Sequence, residues 1–139
     1  VRQFDGGGRI VLVQKIRLVD ALAEFGEHWS PRIVGELNGQ HVKLVKLAGE
    51  FVWHHHADED EMFLVLHGTL KMEYRVESGE ERTIDVGEGE FVIVPRGVEH
   101  RPTATEEVHV LLFEPAGTLN TGNVRNELTV DQPTRLVAG

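Results

Sequence analysis

Across residues 31–115 the chain is cut into short apolar runs by glycine, proline and acidic turns. Runs that short leave little room for helices, which need about 12 residues to hold in water. Residues 33–37 and 40–47 flank Asn38-Gly39. Asn-Gly between apolar runs is a strong hairpin signal, because both central residues of the favoured turn need positive φ. Further short runs follow at 51–56, 61–66, 69–76, 82–86, 91–94 and 108–113, with a Glu77-Ser78-Gly79-Glu80 turn among them. The pattern predicts an all-β sandwich or small barrel. Strands do not alternate with helices, which disfavours a doubly wound α/β fold.

Upstream, Leu18, Leu22, Phe25 and Trp29 fall on one face of a helix, and Pro31 stops its continuation. An amphipathic N-terminal helix within residues 10–29 is expected, covering an open end or face of the core. The run Gly6-Gly7-Gly8, in a chain starting at Val1 without a methionine, suggests nothing structural. The expected organisation is an N-terminal segment and helix over 1–30, a barrel over 31–115 and a C-terminal arm over 116–139. The stretch 117–123, rich in Gly, Thr and Asn, reads as an ordered loop leading into that arm.

The 139 residues are 40% hydrophobic and 27% charged, with a net charge of −9. Such a chain repels phosphate backbones and anionic lipid, so neither nucleic acid nor membrane is an expected partner. It has no cysteine, which excludes disulfides, thiolate nucleophiles, iron–sulfur clusters and Cys-type zinc sites. No apolar run approaches the roughly 20 residues of a membrane span, and no signal-peptide core is visible, so a cytoplasmic location is expected.

The residues that carry chemistry are histidines. In the run Phe51-Val52-Trp53-His54-His55-His56, a strand would put His54 and His56 on one face and Phe51, Trp53 and His55 on the other. Two imidazoles two residues apart can meet at one ion. Glu61 opens the next strand after Asp58-Glu59-Asp60, which reads as a solvated hairpin tip, and brings a carboxylate beside them. His100 follows the tight turn at Pro95 and Gly97. Three imidazoles and one carboxylate, His54, His56, Glu61 and His100, suit Fe, Mn, Ni, Co or Zn better than Mg or Ca. Four protein ligands leave two open positions on a six-coordinate ion, as a catalytic metal needs.

The other candidates read more plainly. The triple histidine lies between apolar strands in mid-chain, unlike a tag. His55 faces outward, His67 sits at a strand end near the rim, His41 and His109 lie at the surface or core edge, and His28 lies on or after the helix. Phe51 and Trp53 belong under a second sheet or a second subunit. Arg96 and Glu99 flank the second turn, either touching an anionic substrate or simply solvated. Lys43, alternating with Val45 and Leu47, and Tyr74, alternating with Met72, are placed to reach a pocket.

Two segments resemble the motifs of the cupins. Gly49 to Gly68 reads Gly-x4-His-x-His-x4-Glu-x6-Gly, and Gly89 to His100 reads Gly-x5-Pro-x-Gly-x2-His. The resemblance covers residues 31–115, and Asn120-Thr121-Gly122 is similar to the tail of small single-domain cupins described as mannose-6-phosphate-isomerase-like. It implies a double-stranded β-helix, or jelly-roll barrel, with a divalent transition metal held inside by His54, His56, Glu61 and His100. The first gap is one residue short of the family pattern. Counting from His55 would restore it but would put Ala57 at the second position. Ala104 stands where the fuller second motif often ends in Asn, which is not a ligand. The expected function is a metal-dependent enzyme, an isomerase, lyase or dioxygenase, acting on a small polar metabolite. The alternative is a sensor or carrier that uses the metal only to orient a sugar or carboxylic acid. Exposed aromatics and open sheet edges point to a homodimer.

Overall fold

The computed structural model describes residues 2–4 and 10–136. Strands β1 (Arg2–Phe4) and β2 (Ile10–Leu12) pair antiparallel with each other. The Gly6-Gly7-Gly8 run lies outside the described residues. The rest is a jelly-roll of β3 (Arg32–Leu37), β4 (Gln40–Glu50), β5 (Glu61–His67), β6 (Leu70–Arg75), β7 (Glu81–Val86), β8 (Phe91–Val94), β9 (His100–Pro115) and β10 (Thr134–Arg135). No helix among the described residues is long and apolar enough to cross a membrane.

The 16-residue β9 is the spine. One edge runs along β4, from Gln40↔Pro115 to Glu50↔Thr103. The other edge is divided: the N-terminal part of β9 pairs with β6 and the C-terminal part with β5. β5 carries β8 on its far side, and β6 carries β7. One strand thus ties both sheets together, and the space between them is the core.

Alternation along the strands fills that space. Val45 and Leu47 of β4, Phe63 and Val65 of β5, and Val108, Val110 and Leu112 of β9 point into it with Leu70, Met72, Val86 and Val94. A second, smaller cluster of Ala21, Phe25, Val34 and Leu44 covers the outer face of β4. The β3–β4 hairpin turns at Asn38 and Gly39, with φ +50° and +76°, so both central residues take the left-handed conformation the dipeptide is suited to.

The N-terminal helix is much shorter than its apolar stripe suggests. It spans Leu18–Leu22 (α1), five residues, and Ile10–Leu12 is strand. Trp29 has φ +59° and donates its backbone N–H to the Lys46 carbonyl, so it leaves the helical path. Leu18, Leu22 and Phe25 still pack together over β4. The spacing located the buried face, but tertiary pairing with β4 replaced the later helical turns. The tail returns as β10, parallel to β3, with Leu136 N–H bonded to the Ile33 carbonyl.

Gly68 closes β5 with φ +83°, and a Cβ there would stand 2.9 Å from the Glu107 carbonyl oxygen. Gly39 has similar φ but open space around it. Gly39→Ala is therefore expected to cost about 1–2 kcal/mol from left-handed strain alone. Gly68→Ala adds a backbone collision and is expected to cost at least about 1 kcal/mol more. Urea denaturation of the two variants measures the difference.

Candidate metal centre

Glu61 begins β5 on the same face as Phe63 and Val65, so strand alternation aims its carboxylate into the core. β4 ends at Glu50, and residues 51–56 are irregular apart from a single bridge at His54. That bridge is a reciprocal backbone pair: His54 N–H to the His100 carbonyl at 3.0 Å, and His100 N–H to the His54 carbonyl at 2.9 Å. The Gly97 N–H adds a bond to the His56 carbonyl at 2.7 Å. Backbone hydrogen bonds thus join two segments far apart in the sequence, and the His54 and His100 ring centroids lie 4.2 Å apart.

Candidate ligand atoms of His54, His56, Glu61 and His100 all lie within 4.8 Å of one another. All four residues are buried, at 2%, 5%, 4% and 0% exposure. His54 Nδ1 donates to the Val52 carbonyl at 2.9 Å, and His100 Nδ1 to the Val98 carbonyl at 2.8 Å. A carbonyl only accepts, so each neutral ring carries its proton on Nδ1 and presents a bare Nε2. His56 Nε2 and His100 Nε2 stand 3.3 and 3.4 Å from Glu61 Oε1, and none of these three atoms has a hydrogen-bond partner. Buried polar atoms are rarely left unpaired. Three nitrogens and a carboxylate oxygen, with two of the rings oriented by backbone carbonyls, fit a divalent transition ion.

Burial draws the His54 pKa from 6.5 down to about 4, and the neighbouring His100 adds to the shift. Burial would raise the Glu61 carboxyl, but the adjoining Glu114, His100 and His56 side chains outweigh it and hold the group well below the ordinary carboxylate range.

Glu114 is the residue sequence reading missed. It lies on β9 two places beyond the inward Leu112, fully buried, with Oε1 accepting from Lys43 Nζ at 2.8 Å. Burial pushes its carboxyl well above the ordinary range, the Glu61 charge adds to this, and Lys43 offsets it only in part. Glu114 lines the same cavity as His54 and Glu61, with Trp29, Phe51 and Phe63 among the apolar walls. Reading β9 one residue past Phe113 would have found it by alternation. Lys43 is buried beside Val45, as its strand position suggested.

Phe51 and Trp53 do not share a face. Phe51 is buried, stacked on Trp29 at 4.6 Å and edge-on to His54 at 5.3 Å. Trp53 lies under Arg75 and Arg101 at 3.9 and 5.3 Å. Strict alternation fails because β4 has already ended. His55 remains outside the cluster, its ring on Glu99 at 3.2 Å. The tail clamps this stretch: His55 N–H bonds Asn123 Oδ1, and Asn123 N–H bonds the His55 carbonyl. Arg96 is engaged by Asp60 through its Nε and its backbone N–H, so both groups belong to the hairpin tip. His67 pairs with Glu88, His41 with Glu36, and His28 and His109 with Glu107, away from the cluster.

A model of the cupin domain matches residues 41–114. A cupin-2 domain containing protein from Shewanella frigidimarina is 45% identical, with a TM-score of 0.67 over 72% of this chain and 93% of that one. A Neisseria meningitidis protein is 32% identical, with a TM-score of 0.63 over 74% of this chain and 100% of that one. The Bacillus subtilis protein YdbB is 34% identical over 68 residues, 49% of this chain; the match spans 57% of that protein.

Two outcomes follow from this geometry. Lys43→Met removes the partner of a buried carboxyl and is expected to cost on the order of 3 kcal/mol, with Lys43→Met/Glu114→Gln recovering part of it; urea midpoints of the single and double variants measure this. In metal-free protein, His54 is protonated at about pH 4 when folded and 6.5 when unfolded. Between those values the unfolded chain binds more protons at this site, so the His54 contribution to stability falls by roughly 3 kcal/mol as pH drops from 6.5 to 4, while the raised Glu114 carboxyl contributes in the opposite sense. Denaturation of chelator-treated Glu114→Gln protein across that window isolates the His54 slope, and a flat profile contradicts it.

Proposed function

We propose that this chain, which belongs to the cupin domain family, is a small metal-dependent enzyme with His54, His56, Glu61 and His100 as its metal ligands. The observation that carries the reading is the set of buried, unpartnered atoms His56 Nε2, His100 Nε2 and Glu61 Oε1 facing one point. A divalent ion held there supplies Lewis-acid polarisation of a substrate oxygen. The Val52 and Val98 carbonyls hold the His54 and His100 rings in the ligating tautomer.

Glu114 favours an enzyme over a carrier. A carrier needs only walls and fixed donors, whereas catalysis calls for a titratable group beside the reacting atoms. Glu114 is such a group, in the same cavity as Glu61. Its position is suited to holding a proton next to substrate bound at the metal. The reaction would be isomerisation, elimination or oxidation of a small molecule, with the ion's identity deciding among them.

The metal-bound reading is tested on protein purified without chelator or nickel resin. Metal analysis is expected to find a divalent transition ion. Stripping it lowers the melting temperature and re-adding it restores stability, worth about 2.7 kcal/mol at a hundredfold excess over the dissociation constant. Glu61→Gln abolishes metal-dependent turnover and weakens metal affinity by about 10–100-fold. His55→Ala leaves metal content unchanged. Loss of metal from His55→Ala but not from His54→Ala overturns the ligand set.

A homodimer is part of the same proposal. Among the described residues β8 pairs only with β5, and its Phe91 and Ile93 are 60% and 54% exposed. A second copy adding to that open edge with two-fold symmetry would cover both side chains. Light scattering is expected to give twice the 15.6 kDa chain mass, and Ile93→Lys is expected to return it to the monomer value.

A further inference from the structure

The cavity beside the candidate ligands contains room for little and offers few polar partners. It measures about 40 Å³, roughly three water-sized groups. Its walls away from the cluster are apolar, with Trp29, Phe51, Phe63 and Leu112 prominent among them. Beyond the cluster, among the described residues only Glu114 and Asn120 bring polar side chains to the lining, and neither carries a positive charge.

Asn120 is already committed to the tail. Its Nδ2 donates to the Leu128 carbonyl at 2.9 Å, and its Oδ1 accepts from the Val130 N–H at 2.9 Å. Glu114 is tied to Lys43 by one oxygen, and that ammonium sits behind it rather than in the lining. Among the described residues, no arginine lines the cavity. Arg101 is drawn to Glu73 and Glu50, and Arg96 to Asp60. A phosphate or a second carboxylate would therefore lie against apolar walls and two glutamates, with no cation to offset its lost hydration.

We propose that this site selects a molecule with one metal-seeking oxygen group, such as a single carboxylate, and an uncharged, apolar remainder, and that it discriminates against sugar phosphates and dicarboxylates. The small volume takes the head group. The stacked Trp29–Phe51 pair, with Trp29 partly exposed, gives the remainder an apolar surface on the way out. The inference rests on the metal reading above, which supplies the anchor for the head group.

The test uses the full chain loaded with Co(II), whose visible absorption reports ligands entering its coordination sphere independently of turnover. Butyrate and succinate share a carboxylate head and chain length, and differ in a methyl against a second carboxylate. Glucose 6-phosphate forms a third arm. Butyrate is expected to perturb the Co(II) bands at a concentration about tenfold or more below that needed for succinate, with glucose 6-phosphate weaker than butyrate as well. Succinate or glucose 6-phosphate acting at an equal or lower concentration than butyrate overturns the proposal while leaving the metal reading intact. Protein that takes up no Co(II), with no bands of bound ion, overturns the metal reading and this inference with it.

Discussion

The reciprocal backbone pair between His54 and His100 is the constraint on which the site depends. It fixes the separation of two rings that arrive from opposite parts of the chain, and each ring is then turned by its own neighbouring carbonyl. Burying three imidazoles and a carboxylate in an apolar barrel is unfavourable unless their polar atoms find partners. The fold supplies partners for the Nδ1 atoms of two rings and leaves the inward atoms facing one another. Orientation therefore comes from the backbone, and the unmet demand is concentrated at one point.

The barrel and the site are continuous because the same alternation produces both. On β5, Glu61 occupies the inward position that Phe63 and Val65 continue. On β4, Lys43 precedes Val45 and Leu47, and on β9 Glu114 follows Val110 and Leu112. Three charged residues therefore take places where the pattern calls for apolar ones. Lys43 pairs with one oxygen of Glu114, and Glu114 lines the same cavity as Glu61. The charged layer at one end of the core grades into the cluster without an apolar partition.

What could be read from residue order follows from how local the cause is. The β3–β4 hairpin was legible because Asn38-Gly39 carries its own backbone preference. The grouping of the four candidate ligands was legible because motif spacing and the Pro95–Gly97 turn fix direction over a few residues. The helix was overread because its apolar stripe is real, while the length of a helix depends on competition from β4, which captures Trp29. Phe51 was misplaced for a similar reason: parity holds only while a strand continues, and β4 stops at Glu50. Glu114 stayed hidden because its partner Lys43 is remote in sequence, and nothing near it marks an acid as buried.

β9 touches β4, β5 and β6 at once. Those pairings are non-local, and closing such loops is entropically costly until the partners are in place. His100 stands at the start of that strand, so its ring cannot meet His54 until the two sheets have been joined. An ion bound there would hold together contacts formed after most of the core. Such an ion would act chiefly by slowing escape from the native state and do little to hasten arrival. An ion held by this cluster would be a latch on the finished barrel, leaving the β-strands to find one another without its help.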